Sequence, residues 1–339
     1  MSNFGIYTLA NDSVYNQLIA LINSIEINIG SDIPICIIPY NQNLNLVKQE
    51  INLRPNLRLF EDWDIINYWD KFVNRVWDSH PRNQDSKLTR PGWYKGFVHR
   101  KYAAFNGDFD KFIFYDADSL AMKAIDDVIS KLDQYQLVFD DWEHTKPPEN
   151  TDIILEKVSH QYNLSEDELR LRIHCNSFVA SHKNLFSEND LKNLEKNLIE
   201  QREIEWISHN FWWSSSALMN YMTIDGKHSM FNYTLSPEYQ DRTGNCANAD
   251  DFINIDNILY NKDGLKPIHR LHYMSYSTND FNRLCNGEDV DIRYKHEFLY
   301  YRFLKELEKK PRYLKPANIT DKTNRFIDKA VKKIKRVMR

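Results

Sequence analysis

The chain has 339 residues, a formal net charge of -4 and 42% hydrophobic residues, enough to bury a large core as one oversized domain or a domain with an appendage. That slightly acidic balance gives no global reason to bind nucleic acid. Four widely spaced cysteines (Cys36, Cys175, Cys246, Cys285) argue against a zinc site or disulfide framework and fit a reducing compartment, and nine glycines, none in a phosphate-loop pattern, disfavour a dinucleotide or P-loop enzyme.

Along the chain, Phe4 to Ala10 reads as a first strand. Asn11-Asp-Ser13 supplies capping chemistry for a helix over Tyr15 to Ile27, with Leu18, Leu21, Ile22 and Ile25 at helical spacing. Ile33 to Tyr40 is a second strand, Leu44 to Ile51 a short helix and Asn56 to Phe60 a third strand. Trp63 to Pro91 is a Trp- and Arg-rich connector without a clear period, and Trp93 to Phe105 reads as a helix. Lys111-Phe-Ile-Phe-Tyr-Asp116 is a buried strand, and Leu137-Val-Phe139 another, closed by Asp140-Asp-Trp142. Residues 144 to 173 look like an insertion with helices over Ile153 to Tyr162 and from Ser165. Asn176 to Ala180 returns to a strand, helices follow over 188 to 203 and 209 to 222, Pro267 to Met274 is a last strand and Glu297 to Lys310 a closing helix. Strand and helix in this rhythm imply an α/β domain over residues 1 to 310, with a mostly parallel central sheet flanked by helices.

The segment after it differs in character. Lys322 to Arg339 holds eight basic residues against Asp328 alone, and Phe326, Ile327, Ala330, Val331, Ile334 and Val337 share one helical face. A basic amphipathic tail over 311 to 339 suggests contact with an anionic membrane surface or an acidic partner; docking on its own domain is the alternative. No apolar run approaches the roughly 18 residues of a membrane span, and the N-terminus carries no basic leader. The expected location is cytoplasmic, possible periphery being the cytoplasmic face of a membrane.

Asp116 and Asp118 stand where the Phe112 strand leaves the sheet, the usual ligand-binding edge of an open α/β fold. On extended backbone their side chains project to one side, so both carboxylates can share a hard cation. Metal-dependent chemistry on a phosphorylated substrate is one reading; a strand ending in a polar turn is the other.

Tyr7-Thr-Leu-Ala-Asn-Asp12 followed by Tyr15, Arg100-Lys101 sixteen positions before the first aspartate, Tyr115-Asp-Ala-Asp-Ser119, Asp140, Cys175-Asn-Ser177 and Lys266-Pro-Ile-His-Arg-Leu-His-Tyr273 occur in an order that resembles glycosyltransferase family 8, the glycogenin and bacterial lipopolysaccharide galactosyltransferase group. The resemblance covers roughly residues 4 to 275 and implies a GT-A fold and a metal-dependent transferase. It implies a UDP-sugar donor and a glycan, lipid-linked or protein acceptor. Thr8, Ala10, Asn11 and Tyr15 would hold the nucleotide, with Arg100, Lys101 and Ala117 also at the donor. Asp116, Asp118 and His272 would bind Mn²⁺ or Mg²⁺, with His269 the alternative third ligand. Asp140 and Asn176 would meet the donor sugar.

Three departures leave the chemistry at the sugar open. Phe178 stands in place of a family glycine and would narrow the space near the sugar, Ser215-Ser216 replace the family's Asp-Gln at the reacting carbon, and the late His signature is incomplete. The acceptor is expected over the 144 to 173 insertion and the Trp206 to Trp213 region, and Asp140, Asp250 and Asp251 are candidate general bases. A catalytically inactive nucleotide-sugar-binding scaffold is the main alternative; a haloacid-dehalogenase-type phosphatase, with Asp116 as nucleophile, is a further one.

Overall fold

A computed structural model describes residues 3–84, 96–208 and 212–316. The first four long-range strands are β1 (Phe4–Ala10), β2 (Ile35–Pro39), β3 (Leu57–Leu59) and β4 (Lys111–Asp116). A short β5 (Ser119–Ala121) follows, then β6 (Leu137–Phe139), β7 (Phe178–His182) and β8 (Met230–Asn232). Seven of these form one sheet in the order β3-β2-β1-β4-β7-β6-β8. β3, β2, β1 and β4 run parallel, β7 is antiparallel to β4 and β6, and β8 is parallel to β6. The mostly parallel sheet is therefore as the strand-helix rhythm requires.

Alternation along the strands divides the core. Tyr7, Phe112 and Phe114 face one layer, with α3 (Trp63–Ser79), the 3₁₀ helix Val98–Asn106, α7 (Glu188–Ile199) and α8 (Ser215–Thr223). Ile6, Ile113 and Tyr115 face the other, covered by α1 (Tyr15–Asn28), α2 (Asn45–Leu53) and α4 (Asp126–Lys131). Gly5 is required between them, because a Cβ there would lie 2.2 Å from the ring of Phe109.

The connector expected over Trp63 to Pro91 is instead a 17-residue helix as far as Ser79, α3, while residues 85–95 lie outside the described residues. Asp62 caps it by accepting from the N–H of Ile65, and Ile66, Trp69, Phe72, Val73, Val76 and Trp77 bury one face. That spacing is helical; the bulk of the tryptophans and the scattered charges between them masked it.

The 144 to 173 segment forms α5 (Leu155–Tyr162) and α6 (Glu166–Arg170), the latter opened by a reciprocal Ser165–Glu168 capping box. It is anchored to the main body through the Ile153–Ile207 bridge and the core contacts of Val158 and Leu169.

The late strand contracts to β11 (Arg270–His272), after the hairpin β9 (Phe252–Ile255) and β10 (Ile258–Asn261). It pairs antiparallel with β5, in a ribbon separate from the main sheet. Beneath that ribbon, α9 (Thr278–Cys285) and α10 (Lys295–Arg302) bury Phe281, Leu284 and Phe298 in a third cluster with Leu120 and Leu271. The closing helix thus ends at Arg302, with a 3₁₀ turn over Leu307–Lys309. The basic stretch Lys322 to Arg339 lies outside the described residues, among which no helix is long and apolar enough to cross a membrane.

Candidate functional site

β4 ends at Asp116, whose N–H donates to the Ser177 carbonyl at 2.9 Å, so the strand edge beside β7 fixes where this carboxylate emerges. Asp118 is not on extended backbone; it lies in the turn between β4 and β5. Cross-strand register does the rest. His272 of β11 pairs with Ser119 of β5, and the Asp118 carbonyl accepts from the N–H of Tyr273 at 2.9 Å, which brings the imidazole to the turn.

One ligand atom each from Asp116, Asp118 and His272 can be chosen so that all lie within 4.8 Å of one another. His272 Nε2 is 3.4 Å from Asp118 Oδ1. Two carboxylates and one imidazole fit Mn²⁺ or Mg²⁺ by donor chemistry, with room left for further oxygen ligands. Burial alone would raise the Asp118 pKa, but the neighbouring His272 and Lys101 outweigh it and hold the carboxyl below its usual range.

His269 is not part of this cluster. Its Nδ1 lies 3.0 Å from Asp140 Oδ2 and its Nε2 2.9 Å from Asp127 Oδ2. Burial opposes its protonation, yet the two carboxylates win and raise its pKa. Asp140, fully buried, is thus half of an internal ion pair and lines no cavity with the aspartate pair.

The basic pair divides in the same way. Lys101 Nζ lies 2.7 Å from Asp116 Oδ1 and 3.3 Å from the Asn176 carbonyl. Arg100 turns away: its Nη2 and Nε reach Asp70 at 2.7 to 3.2 Å, its Nη1 donates to the Tyr40 carbonyl at 3.1 Å, and it packs on the ring of Phe97. Consecutive residues of a 3₁₀ helix point about 120° apart, so only one of the two can face the aspartates.

A cavity of about 610 Å³ opens on this cluster. Ala10, Asn11, Lys101, Asp116, Ala117, Asp118 and Asn176 all line it. Thr8 and Tyr15 do not: Thr8 is sealed within β1, and the Tyr15 hydroxyl donates to Glu50 at 2.8 Å. Ser13, Gln17, Tyr40 and Tyr276, which no motif of the sequence singles out as donor-site residues, also line the wall. Ser13, Gln17 and Tyr40 share a signal, a polar or aromatic residue just past a strand end or within the first turn of a helix; Tyr276, between β11 and α9, carries none.

Ser214, Ser215 and Ser216 also line the cavity at the start of α8, with Ser214 capping the N–H of Ala217. The replacement of Asp-Gln by serines therefore falls on the cavity itself. Phe178 does not narrow it, because its buried ring packs edge-on against Tyr115 inside the sheet layer. Asp250 accepts from the N–H groups of Asn245 and Cys246, and Asp251 pairs with Lys262 and Arg293, so neither faces the cavity. Trp206 packs on Tyr162 and Tyr221, and Trp212 is buried against His80, leaving neither as a free platform.

No protein-family profile matches the sequence, and no curated protein matches it. Solved structures do match. The galactosyltransferase LgtC, in complex with donor and acceptor sugar analogs, is similar with a TM-score of 0.51 at 13% identity, over 88% of this chain and 95% of that one. The apo bifunctional glycosyltransferase WbbM gives a TM-score of 0.51 at 12% identity over 91% of this chain, which spans only 52% of that longer chain. The fold is GT-A. Asp116 and Asp118 share their cluster with His272, while Asp140 is turned to His269 rather than to Asp116.

Proposed function

We propose that this protein is a metal-dependent glycosyltransferase that moves a sugar from a UDP-sugar to a glycan or lipid-linked acceptor. The observation that carries the reading is the Asp116, Asp118 and His272 cluster opening into a cavity walled by Ala10, Asn11, Lys101, Asn176 and the start of α8, at the strand ends of a GT-A sheet. Bound there, Mn²⁺ or Mg²⁺ would act as a Lewis acid toward the diphosphate as charge builds on the leaving oxygen.

The chain's own residues account for the rest. Ala10 and Asn11 end β1 beside Tyr40 and form the nucleotide side of the cavity. Lys101 supplies a second, fixed cation next to the diphosphate, preorganised by its contacts with Asp116 and Asn176. Ser214 to Ser216 present hydroxyls and a helix N-terminus where the sugar and acceptor would meet. A cytoplasmic setting and contact of the basic 322 to 339 stretch with an anionic membrane surface belong to it on sequence charge alone.

The test is UDP release from a panel of UDP-sugars with Mn²⁺, with and without candidate acceptors. Turnover by the wild type that Asp118→Asn abolishes supports the proposal. Mn²⁺-enhanced UDP binding without turnover on any acceptor would favour the second reading, a donor-binding scaffold, which Ser215-Ser216 already recommends.

A further inference from the structure

The 144 to 173 segment has no part in the aspartate cavity, for none of its residues lines that wall. Its α6 and the residues after it instead line a second cavity of about 610 Å³, together with β8, the strand at the end of the sheet. No residue lines both cavities. The floor of the second one is apolar: Phe139 and Ile173 are each 1% exposed, and the ring of Phe139 stacks on His174 at 3.9 Å. Nearer the surface, the half-buried Tyr135 leans on the ring of Phe231, which Lys131 caps at 4.3 Å. Tyr135 is therefore the aromatic ring left open to a ligand.

The polar groups of this cavity lack partners. The guanidinium of Arg172 makes no ion pair or hydrogen bond among the described residues. It packs against Gly226 through three atoms, since a Cβ there would stand 3.0, 3.2 and 3.4 Å from Nη2, Cζ and Nη1. Gly226 also has a φ of +81°, so both its backbone and its neighbour call for glycine. Glu168 commits Oε2 to the N–H and hydroxyl of Ser165 and leaves Oε1 uncommitted. On the floor, His174 Nε2 lies 2.9 Å from Thr223 Oγ1, whose own hydrogen goes to the Met219 carbonyl at 3.0 Å. Nε2 thus carries the imidazole hydrogen, and Nδ1, buried without a partner, is an acceptor.

This combination selects a chemical class. An anion would meet Glu168 as well as Arg172 and gain little. A wholly apolar ligand would bury the Arg172 donors and the His174 acceptor without satisfying either. A neutral sugar meets every requirement: its hydroxyls donate to His174 and Glu168 and accept from Arg172, while its C–H face packs on the ring of Tyr135. The volume is also that of a small-molecule site. We propose that this cavity is a carbohydrate-binding site, separate from the donor cavity, which takes a neutral glycan unit.

The experiment is saturation-transfer NMR on the full chain with lactose, maltose, cellobiose and N-acetyllactosamine, and with dodecyl phosphate as the contrasting amphiphile. No UDP-sugar is present, so the outcome is independent of the transferase reading. At least one disaccharide should bind with a Kd of about 1 mM or lower. Tyr135→Ala and Arg172→Ala, both at half-buried positions outside the core, should each weaken it by about 5-fold or more, and Asp118→Asn should leave it unchanged. No binding by any of the four sugars at about 10 mM overturns the proposal. So does binding of dodecyl phosphate alone, or sugar binding that survives both rim substitutions. Sugar binding lost only in Asp118→Asn would put the ligand in the donor cavity and overturn it equally.

Discussion

Replacing Lys101 with methionine tests the charge balance of the cavity directly. Lys101 is 8% exposed and its ammonium lies 2.7 Å from Asp116, whose side chain is 27% exposed. Breaking a fully buried ion pair costs about 3–5 kcal/mol, and solvent at Asp116 screens part of that, so the loss should be about 2 kcal/mol. In a chain of this size that is about 3 °C in Tm. Divalent metal should then act differently on the two proteins. In the wild type Mn²⁺ meets a carboxylate already paired with an ammonium; in Lys101→Met it meets an uncompensated one. The Mn²⁺-induced rise in Tm, read by differential scanning fluorimetry across a metal titration, should be larger in the variant and recover much of the lost stability. A variant as stable as the wild type, with the same Mn²⁺ shift, would refute both the pairing and its overlap with the metal site.

Arg100→Ala should behave oppositely to a donor-site substitution: it removes the pairing with Asp70, lowers stability by about 2–4 kcal/mol, and leaves UDP affinity within about two-fold where the protein is folded. A large loss of UDP binding without a loss of stability would restore Arg100 to the donor site. His269 carries a pH signature. Because its folded pKa lies above the ordinary 6.5, the pairing with Asp127 and Asp140 contributes fully below pH 6.5 and is lost as pH rises through the folded value. Urea unfolding from pH 5.5 to 9 should show that decline in the wild type and not in His269→Gln; parallel profiles would contradict it. Trp69→Ala should cost about 3–5 kcal/mol, since the buried indole packs on Phe72, Tyr102 and Phe186 and donates to Asn106. A loss below 1 kcal/mol by chemical denaturation would mean that α3 is not the core helix described above.

Much of the site was legible because its residues sit at strand ends and in local motifs. The Asp116–Asp118 pair follows a run of buried apolar residues, and Asn11 caps the turn it precedes by accepting from the N–H of Ser13. α3 was hidden although its spacing was helical, because a tryptophan-rich amphipathic pattern spread over 17 residues resembles a connector when its charges are read first. Arg100 and Lys101 could not be separated by position, since neighbours on a helix share a sequence address and differ only in direction. Asp140 was placed correctly after its strand, but nothing local to it reveals that His269, 129 residues later, claims its carboxylate.

By itself the amino-acid sequence determined the α/β architecture, the positions of its principal strands and the location of the aspartate pair, because periodicity, capping and strand-end chemistry act over a few residues. Only the tertiary structure decided which histidine meets Asp118, which basic residue meets Asp116, and that three serines line the same cavity. The histidine depends on register between β5 and β11 and the serines on where α8 packs, both contacts between segments distant in the chain, while the basic residue depends on which way the Val98–Asn106 3₁₀ helix turns its side chains. Arg270 is the extreme case: an arginine two residues before a histidine looks ordinary until the fold buries it with no ion pair among the described residues.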